Sequence, residues 1–244
     1  MGLELYLDLL SQPCRAVYIF AKKNGIPFEL RTVELLKGQH VSKGFLPADS
    51  PKVVPVLKDG DLVLHQSVAI LIYLSCKYQT PDHWYPPDLQ ARARIHEYLG
   101  WHADFIRGTF GVCLWTKVLA PLIGVQVPEE KVKRNRAAVD RALQLLEDQF
   151  LGDKAFLTSQ RVSLADLMAL EELMQVAALG DDVFEGRPRL AAWRGRVEAV
   201  LGANLCQETH GPILNILEQA ANKQLPPIPA EAHPSMLLRI SRIP

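Results

Sequence analysis

Within its first 35 residues the chain changes from a strand pattern to a helix pattern and back, which limits the folds open to it. Leucines occupy alternate positions over residues 3–9, and this predicts a strand with one covered face. From Pro13 to Gly25 the apolar residues are three and four apart, which predicts a helix opened by proline and closed by glycine. Residues 28–35 predict a second strand. The chain therefore begins with a βαβ unit, whose strands we expect to be parallel with a right-handed crossover.

The next segment predicts two further strands and a helix. Residues 53–64, VVPVLKDGDLVL, give two short apolar runs around Asp59-Gly60, which is a strong hairpin signal. Pro55 has no N–H to donate to a strand ladder, so we expect it at a sheet edge or in a special, cis, conformation. Ser67 is predicted to cap a helix that ends near Tyr78. The predicted order is β-α-β followed by β-β-α.

The remainder of the chain predicts an all-helical region. Gln79–Asp88 is rich in proline and aromatic residues and interrupts both periodicities, as is typical of a linker. Ser163 and Asp166 have the spacing of a capping box. The short apolar piece SMLLRISRIP follows the last helix. The predicted helices cover about 88–119, 129–151, 163–179, 188–201 and 204–222.

Composition excludes several classes of function. The 27 basic and 27 acidic residues cancel, so no overall field attracts nucleic acid or an anionic membrane. The most apolar run, residues 62–74, is too short to span a bilayer. The four cysteines are scattered and no signal segment precedes them, so we expect a soluble protein of a reduced, intracellular compartment with no metal cluster. Function must then depend on a local site.

Ser11 and Cys14 are the first candidates for such a site. Their spacing is that of the C-x-x-C motif of thiol redox proteins with the first sulfur replaced by oxygen. A serine at a helix start is ordinarily an N-cap, and no histidine or aspartate is adjacent that would make Ser11 a nucleophile. Cys14 lies one turn into the helix. We expect it to be buried and inert, whereas an exposed Cys14 would have a lowered pKa and be reactive.

Several longer strings indicate a family. They are GLELYLDLLSQPCRAVYIFAKKNGIP, KGQH, ALEELM and FEGRPRLAAWRGRVEA, and their serial order resembles the cytosolic glutathione transferases of the theta class, most closely the theta-2 type. The resemblance covers essentially the whole chain. It implies an α/β thioredoxin-like N-terminal domain plus an all-α C-terminal domain: 1–80 binds glutathione, 81–87 is a linker, and 88–244 binds the electrophile and carries a C-terminal extension.

The resemblance also implies roles for individual residues around glutathione. Ser11 matches the serine that donates a hydrogen bond to the glutathione thiolate, and His40 matches the residue that reaches the glycyl carboxylate. Val54, before Pro55, matches the residue whose backbone pairs with the cysteinyl part. Its neighbour Val53 stands where a polar or lysine residue is expected.

The γ-glutamyl group of glutathione has its own predicted position. Gln66 and Ser67 match the family's residues for this group, because the N–H groups at a helix start suit a carboxylate. Gln66 replaces the glutamate that is usual in theta enzymes, although its amide can still form hydrogen bonds.

Asp104 and Arg107 are the candidates for the electrophile site. Three apart on a helix, they could form only a surface ion pair. The surrounding residues 101–115 are aromatic and apolar, however, and the resemblance makes Arg107 a cation that stabilises an anionic leaving group such as sulfate. The aromatic side chains of this stretch are interpreted as core rather than pocket: Trp101, Phe105, Phe110 and Trp115.

We therefore predict a glutathione transferase in which the thiolate attacks hydrophobic electrophiles such as arylmethyl sulfates and halides, with organic hydroperoxide reduction as a second reaction. Glutathione is the co-substrate, and no metal or other cofactor is expected. The family leads us to expect a homodimer in the cytoplasm that binds neither nucleic acid nor membrane. The charged residues of Lys131–Arg141 could form a nuclear-import signal. We instead assign them to the solvent-exposed side of an amphipathic helix.

Two alternatives remain open from the sequence. One is a glutaredoxin-like thiol transferase that uses Cys14 as its reactive group. The other is a non-catalytic module that binds glutathione or another ligand, which the departures at Val53 and Gln66 favour.

Overall fold

A four-stranded sheet lies in the first third of the chain. A computed structural model describes residues 2–42, 44–48 and 50–244. The strands are arranged in the order β2-β1-β3-β4, with β1 and β2 parallel and the other pairs antiparallel. The predicted βαβ unit and hairpin are both confirmed. The strands are β1 Glu4–Leu7, β2 Glu29–Thr32, β3 Val56–Asp59 and β4 Leu62–His65.

Two helices complete this first unit. The alternating leucines of β1 are buried. Helix α1, Gln12–Lys23, has the predicted proline in its first turn and ends before Gly25, whose φ is 63°. The second helix, α2, spans Ser67–Lys77. The Val54-Pro55 peptide bond is cis, which is the special conformation that the sequence allowed for.

One predicted boundary in this unit is wrong by a residue. Gln66, not Ser67, occupies the N-cap position of α2, and Ser67 is the first helical residue. The Gln66 carbonyl accepts the Ile70 N–H at 3.0 Å, so helical bonding begins there. Gln66 has a φ of 71°. This backbone is uncommon for a residue other than glycine, and a local preference for serine at caps does not indicate it.

The rest of the chain is helical, as predicted, but its helices differ from the predicted ones in detail. The helix predicted over 129–151 ends in a π segment at 146–151, and the C-terminal piece forms a helix over 233–241 that the pattern does not predict. The stretch predicted as one helix over 88–119 is continuous but contains two π turns, at 102–106 and 115–119. The last predicted helix is divided at Asn215. The helices are α3 Leu89–Trp101, α4 Arg107–Leu114, α5 Ala120–Leu122, α6 Glu129–Leu145, α7 Leu164–Ala177, α8 Pro188–Leu201, α9 Ala203–Leu214, α10 Ile216–Ala221 and α11 His233–Ser241.

Helix α7 lies in the core of the molecule. Every residue from Leu164 to Val176 is buried, and the helix packs against both α1 and α4. Its predicted capping box is confirmed, because the Ser163 hydroxyl accepts the Ala165 N–H and the Asp166 carboxylate accepts the Ser163 N–H. The polar side chains of α7 must therefore find partners inside the protein.

The helices carry no membrane-spanning segment in the part of the chain that the structure describes. None of them is both long enough and apolar enough to cross a bilayer.

Candidate active site

The ends of all four strands meet at one edge of the sheet. Leu7 at the end of β1 pairs with Thr32 at the end of β2, and Tyr6 pairs with Val56 at the start of β3. Val56 also pairs with His65, the last residue of β4. The segments that leave or enter the sheet here therefore converge, and they carry the predicted glutathione-site residues from Ser11 to Ser67.

Ser11 joins β1 to α1 and keeps a small exposed fraction of 9%. Its backbone N–H donates to the Asp8 carbonyl at 2.9 Å, and its carbonyl accepts the Arg15 N–H at 3.0 Å. Although Ser11 occupies the N-cap position, its hydroxyl makes no capping hydrogen bond. The Ser11 hydroxyl therefore does not act as a helix cap, which is the ordinary role of a serine at a helix start. It lies beside the positive end of α1.

Cys14 is fully buried, as predicted. Burial raises the pKa of its thiol to about 12 and more than offsets the hydrogen bonds around the sulfur, which lower it. A thiol with this pKa carries almost no thiolate near neutral pH. The structure therefore gives Cys14 the inert role and leaves Ser11 as the polar group at this helix start.

His40 lies in the loop after β2, and Asp8 ties this loop to the β1–α1 turn. The two Asp8 carboxylate oxygens accept the backbone N–H groups of Leu10 and Leu35, at 2.9 and 2.8 Å. His40 is half-buried, its Nδ1 is buried without a hydrogen-bond partner among the described residues, and burial lowers its pKa. The imidazole is thus held near the strand-end edge, with one ring nitrogen unpartnered among the described residues.

Val54 presents backbone rather than side-chain chemistry. It precedes the cis Pro55, and neither its N–H nor its carbonyl has a hydrogen-bond partner among the described residues. Its neighbour Val53 is 45% exposed, which is unusual for a large apolar side chain. An extended peptide laid against Val54 would find a free donor and a free acceptor.

Gln66 and Ser67 lie at the N-terminus of α2. Gln66 is exposed and Ser67 is buried, and neither side chain forms a hydrogen bond within the described residues. A non-glycine residue with positive φ, as at Gln66, costs about 1–3 kcal/mol and is often found at a functional site. The free N–H groups of this helix start suit a carboxylate.

Asp104 and Arg107 do not form the surface pair that their spacing allows. Asp104 is exposed and pairs with no basic side chain of the described residues. The Arg107 guanidinium instead donates through Nη1 to Glu172 Oε1 at 3.2 Å, while 38% of its side chain stays exposed. Arg107 therefore points inward from the start of α4, toward α7.

Arg107 lines a cavity of about 160 Å³ between α4 and the C-terminal segment. Arg239 and Arg242 face it from that segment, and the Arg239 guanidinium lies 5.1 Å from the centre of the Trp115 ring. Burial lowers the pKa of Arg239, and the nearby charge of Arg107 adds to this effect. A small cavity with three arginines is suited to an anion.

The aromatic residues of this stretch divide between core and surface. Phe110 is fully buried, as predicted. The interpretation of Trp115 as core is wrong, since it is half-buried and lines the cavity. The interpretation of Phe105 as core is also wrong, since Phe105 lies in the π turn, is 57% exposed and stacks on the half-buried Trp101.

Two family models match the chain in the order of its two structural units. The model for the N-terminal domain of glutathione S-transferases matches residues 5–82, and that for the C-terminal domain matches residues 106–200. Human glutathione S-transferase theta-2B is 75% identical over all 244 residues of both chains, and rat theta-2 is 72% identical over the same length. The chain belongs to the theta class of the glutathione S-transferases. Its identity to theta-1 from Bos taurus is lower, 59% over 88% of this chain and 90% of that one, which agrees with the predicted theta-2 type.

Solved structures agree with this theta-class fold. Human glutathione transferase theta-2, in complex with glutathione and an unknown ligand, matches with a TM-score of 0.98 at 74% identity over 100% of both chains. A human theta-class transferase in complex with the glutathione conjugate of 1-menaphthyl sulfate matches with a TM-score of 0.97, at the same identity and coverage. The predicted architecture and the enzyme class of this transferase are thereby confirmed.

Three charged groups of this theta-class transferase are absent from the sequence-based predictions: Arg239, Arg242 and Glu172. Arg239 and Arg242 lie in SMLLRISRIP, whose pattern is dominated by its apolar residues, and no sequence signal places them opposite Arg107. Glu172 lies in ALEELM. Two adjacent glutamates within an otherwise apolar helix are a detectable signal for buried ionic partners.

Two other features of the transferase lie apart from this chemistry. A larger, open depression of about 490 Å³ is lined by residues 151–160 and by α8, and it contains none of the predicted site residues. Within the described ranges, no cluster of His, Cys, Asp and Glu is arranged to hold a metal ion.

Proposed function

We propose that this transferase stabilises the glutathione thiolate with the Ser11 hydroxyl and directs it at arylmethyl sulfates, whose leaving sulfate enters the cavity at Arg107. The observation that carries the proposal is the Ser11 hydroxyl, which is free of its capping role at the positive end of α1. The substrate class is supported by the human relative that holds the glutathione conjugate of 1-menaphthyl sulfate.

The first task is to favour thiolate over thiol. A free thiol has a pKa of about 8.5 and is mostly protonated near neutral pH, and lowering that pKa by one requires about 1.4 kcal/mol of preferential stabilisation of the thiolate. One donor hydrogen bond from Ser11 and the N-terminus of α1 together supply stabilisation of this size. The thiol proton passes to solvent, so no base is needed beside Ser11.

The remaining parts of glutathione are proposed to bind along the same sheet edge. The cysteinyl backbone pairs with the free N–H and carbonyl of Val54, beside Val53. The γ-glutamyl carboxylate meets the start of α2 at Gln66 and Ser67. The glycyl carboxylate reaches His40, whose unpartnered ring nitrogen supports this assignment.

The second task is to receive the leaving group. The sulfur forms a bond to the arylmethyl carbon as the carbon–oxygen bond breaks, and the sulfate departs with that electron pair. Its charge increases in this step, so the guanidinium of Arg107 stabilises the transition state more than the ground state. Asp104 is proposed to line the entrance to the same site, since it is exposed on the turn before Arg107.

Halides and organic hydroperoxides are proposed as further substrates of the same thiolate. With a hydroperoxide, the thiolate attacks the outer oxygen, and the O–O bond breaks to give an alcohol and a glutathione sulfenic acid. A second glutathione converts this acid to the disulfide and water. No anionic sulfate leaves in this reaction, so it depends less on Arg107.

We also propose the division of the chain and its assembly. Residues 1–80 form the glutathione domain, 81–87 the linker and 88–244 the electrophile domain, a division supported by the sheet lying before α2 and helices alone after α3 begins. Glutathione is the co-substrate.

A homodimer is supported by the family and by the exposed side chains of Leu89 and Phe105. A cytoplasmic location is supported by the resemblance to cytosolic transferases.

The proposal is tested with 1-menaphthyl sulfate and cumene hydroperoxide as substrates. Ser11→Ala should lower kcat/KM for both by about 10²–10³-fold, as loss of a single oxyanion donor does. The ultraviolet absorbance of bound thiolate should then appear at higher pH, because the pKa of bound glutathione rises. Cys14→Ala, the matched control one turn away, should leave both rates within about threefold.

The opposite pattern would identify a different enzyme. Activity lost in Cys14→Ala and kept in Ser11→Ala would indicate a glutaredoxin-like thiol transferase. Turnover of neither substrate by the unaltered chain would indicate a binding module.

A further inference from the structure

Helix α7 carries two adjacent carboxylates in the interior of the protein. Glu171 and Glu172 are each 1% exposed. A buried carboxylate must be paired and hydrogen-bonded to remain ionised. Because successive residues of an α-helix point about 100° apart, the two carboxylates form hydrogen bonds with different partners.

Glu171 belongs to a network that joins α7 to α1 and α9. Its Oε2 accepts Arg15 Nε at 2.6 Å, and its Oε1 lies 2.9 Å from His210 Nε2. Arg15 is fully buried and also donates to the Leu9 carbonyl and to Gln175. None of these groups lines the cavity at Arg107. Glu171 therefore makes no direct contact with that cavity.

Glu172 connects Arg107 with the residue that follows Ser11. Its Oε1 accepts Arg107 Nη1 at 3.2 Å, and its Oε2 accepts Gln12 Nε2 at 3.2 Å. Gln12 directly follows Ser11 in the chain. The third neighbour is the buried His102, whose Nε2 is 3.7 Å from Oε1 and whose pKa is lowered by burial.

Arg107 needs such a partner because its other neighbours repel it. Arg239 and Arg242 line the same cavity, and an arginine side chain has many rotamers open to it. With 38% of its side chain exposed, an unpaired Arg107 would turn toward solvent and away from these like charges. Glu172 holds Arg107 through Nη1, and the Arg107 side chain lines the cavity.

We propose that Glu172 is a positioning residue, which fixes Arg107 at the leaving-group cavity and fixes Gln12 beside Ser11 through the two oxygens of one carboxylate. This inference rests on the proposed role of Arg107. It assigns Glu172 no contact with substrate. The enzyme's preference for substrates with an anionic leaving group should then depend on an acid that lies behind the cavity wall.

The measured quantity is the ratio of kcat/KM for 1-menaphthyl sulfate to kcat/KM for cumene hydroperoxide. Glu172→Leu removes both hydrogen bonds at similar volume and should lower this ratio about tenfold or more. Glu172→Gln keeps an acceptor for Arg107, and an amide flip of Gln12 preserves the second bond. It should restore the ratio to within about threefold of the original.

Glu171→Gln is the matched control, since it alters a neighbouring acid of equal burial on the same helix. It should lower stability and reduce both rates in parallel, leaving the ratio within about twofold. Glu172→Asp is the second variant should Glu172→Leu fail to fold. It stays charged, but it is one methylene too short to reach Arg107 and Gln12 together, and it should lower the ratio as Glu172→Leu does.

Arg107→Ala separates this inference from the proposed function. It should lower the ratio by itself, and adding Glu172→Leu to it should lower the ratio no further. A ratio unchanged by Arg107→Ala overturns the proposed role of Arg107. A ratio that falls with Arg107→Ala but not with Glu172→Leu, or that falls equally with Glu171→Gln, overturns the positioning role of Glu172 alone.

Discussion

Ser11 and Cys14 lie one helical turn apart, yet their surroundings give them opposite chemistry. The serine hydroxyl forms no capping hydrogen bond and lies where the glutathione sulfur is proposed to bind. The Cys14 thiol is fully buried, and this burial raises its pKa to about 12. The redox-like spacing of the two residues therefore does not mark a redox pair in the protein, because the proposed reactive thiol is that of glutathione.

Alkylation of the folded protein checks the state of the Cys14 thiol. Because the pKa is raised, the thiol stays protonated through the neutral range, and iodoacetamide at pH 7.4 should label it far more slowly than the exposed Cys76. Labelling of Cys14 should begin only as the pH approaches 12 or as the protein unfolds. Timed labelling followed by peptide mass spectrometry measures both rates, and equal rates at pH 7.4 would contradict the buried assignment.

Among the elements, α7 shows how a local motif acquires a larger structural role. The sequence predicts Asp166 as half of a capping box, and it does accept the Ser163 N–H at 2.9 Å. It is also fully buried and accepts the Leu157 N–H and the Trp193 indole N–H, both at 2.8 Å. The cap thus also fastens the loop before α7 and the helix α8.

The two halves of the capping box should differ in their effect on stability. Ser163→Ala should lower the free energy of unfolding by about 1 kcal/mol, the usual value of an N-cap. Asp166→Ala should lower it by about 3 kcal/mol or more, because three buried N–H donors lose their acceptor at about 1–3 kcal/mol each. Urea unfolding of the two variants measures the difference, and equal losses would mean that Asp166 acts only as a cap.

The same elements show what a sequence pattern can and cannot predict. The apolar spacing over 88–119 predicts a helical stretch, and the stretch is helical. The spacing does not predict the π turns within it, since a π turn is defined by its backbone hydrogen bonds from residue i to i+5 and not by residue type. The cap of α2 is misplaced by the sequence pattern for a related reason: the positive φ of Gln66 is fixed by tertiary structure rather than by residue preference.

At the scale of the whole molecule, the C-terminal segment joins the two structural units. Pro229 lies against Gly38, in the loop that carries His40, where a Cβ would come within 3.3 Å of Pro229 Cγ. At its other end the Lys131 ammonium donates to the carbonyls of Ser241 and Ile243. The segment is therefore held on both sides of the arginine cavity.

Gly38→Ala should loosen this segment. The new methyl group meets Pro229, and φ at this position is 69°, so the variant should lose about 1 kcal/mol from backbone strain alone. Gly60→Ala is the control, because its φ of 60° imposes similar strain with nothing within 4 Å. Amide hydrogen exchange over α11 should become faster in Gly38→Ala only. Exchange unchanged from the control would mean that Pro229 does not hold the segment in place.

The two sides of the site differ in how far the sequence predicts them. On the glutathione side, periodicity predicts the strands and helices next to Ser11, Val54 and Gln66. The resemblance to the theta class assigns their roles, and the sheet order observed in the structure brings them to one edge. The electrophile side depends on Arg107 meeting Glu172 and Arg239. These residues come from helices far apart in the chain, and their meeting is decided by how the helices pack rather than by any local pattern.

The π turn at 102–106 has a consequence for how chains of this family diverge. Such a turn holds one residue more than an α-helical turn, so Arg107 and the wall that follows are rotated by about 100° relative to an uninterrupted helix. Insertion or deletion of one residue here would change which residues of α4 face the cavity and leave both flanking helices intact. An alignment that places no gap at this turn would equate Arg107 with a residue that faces outward.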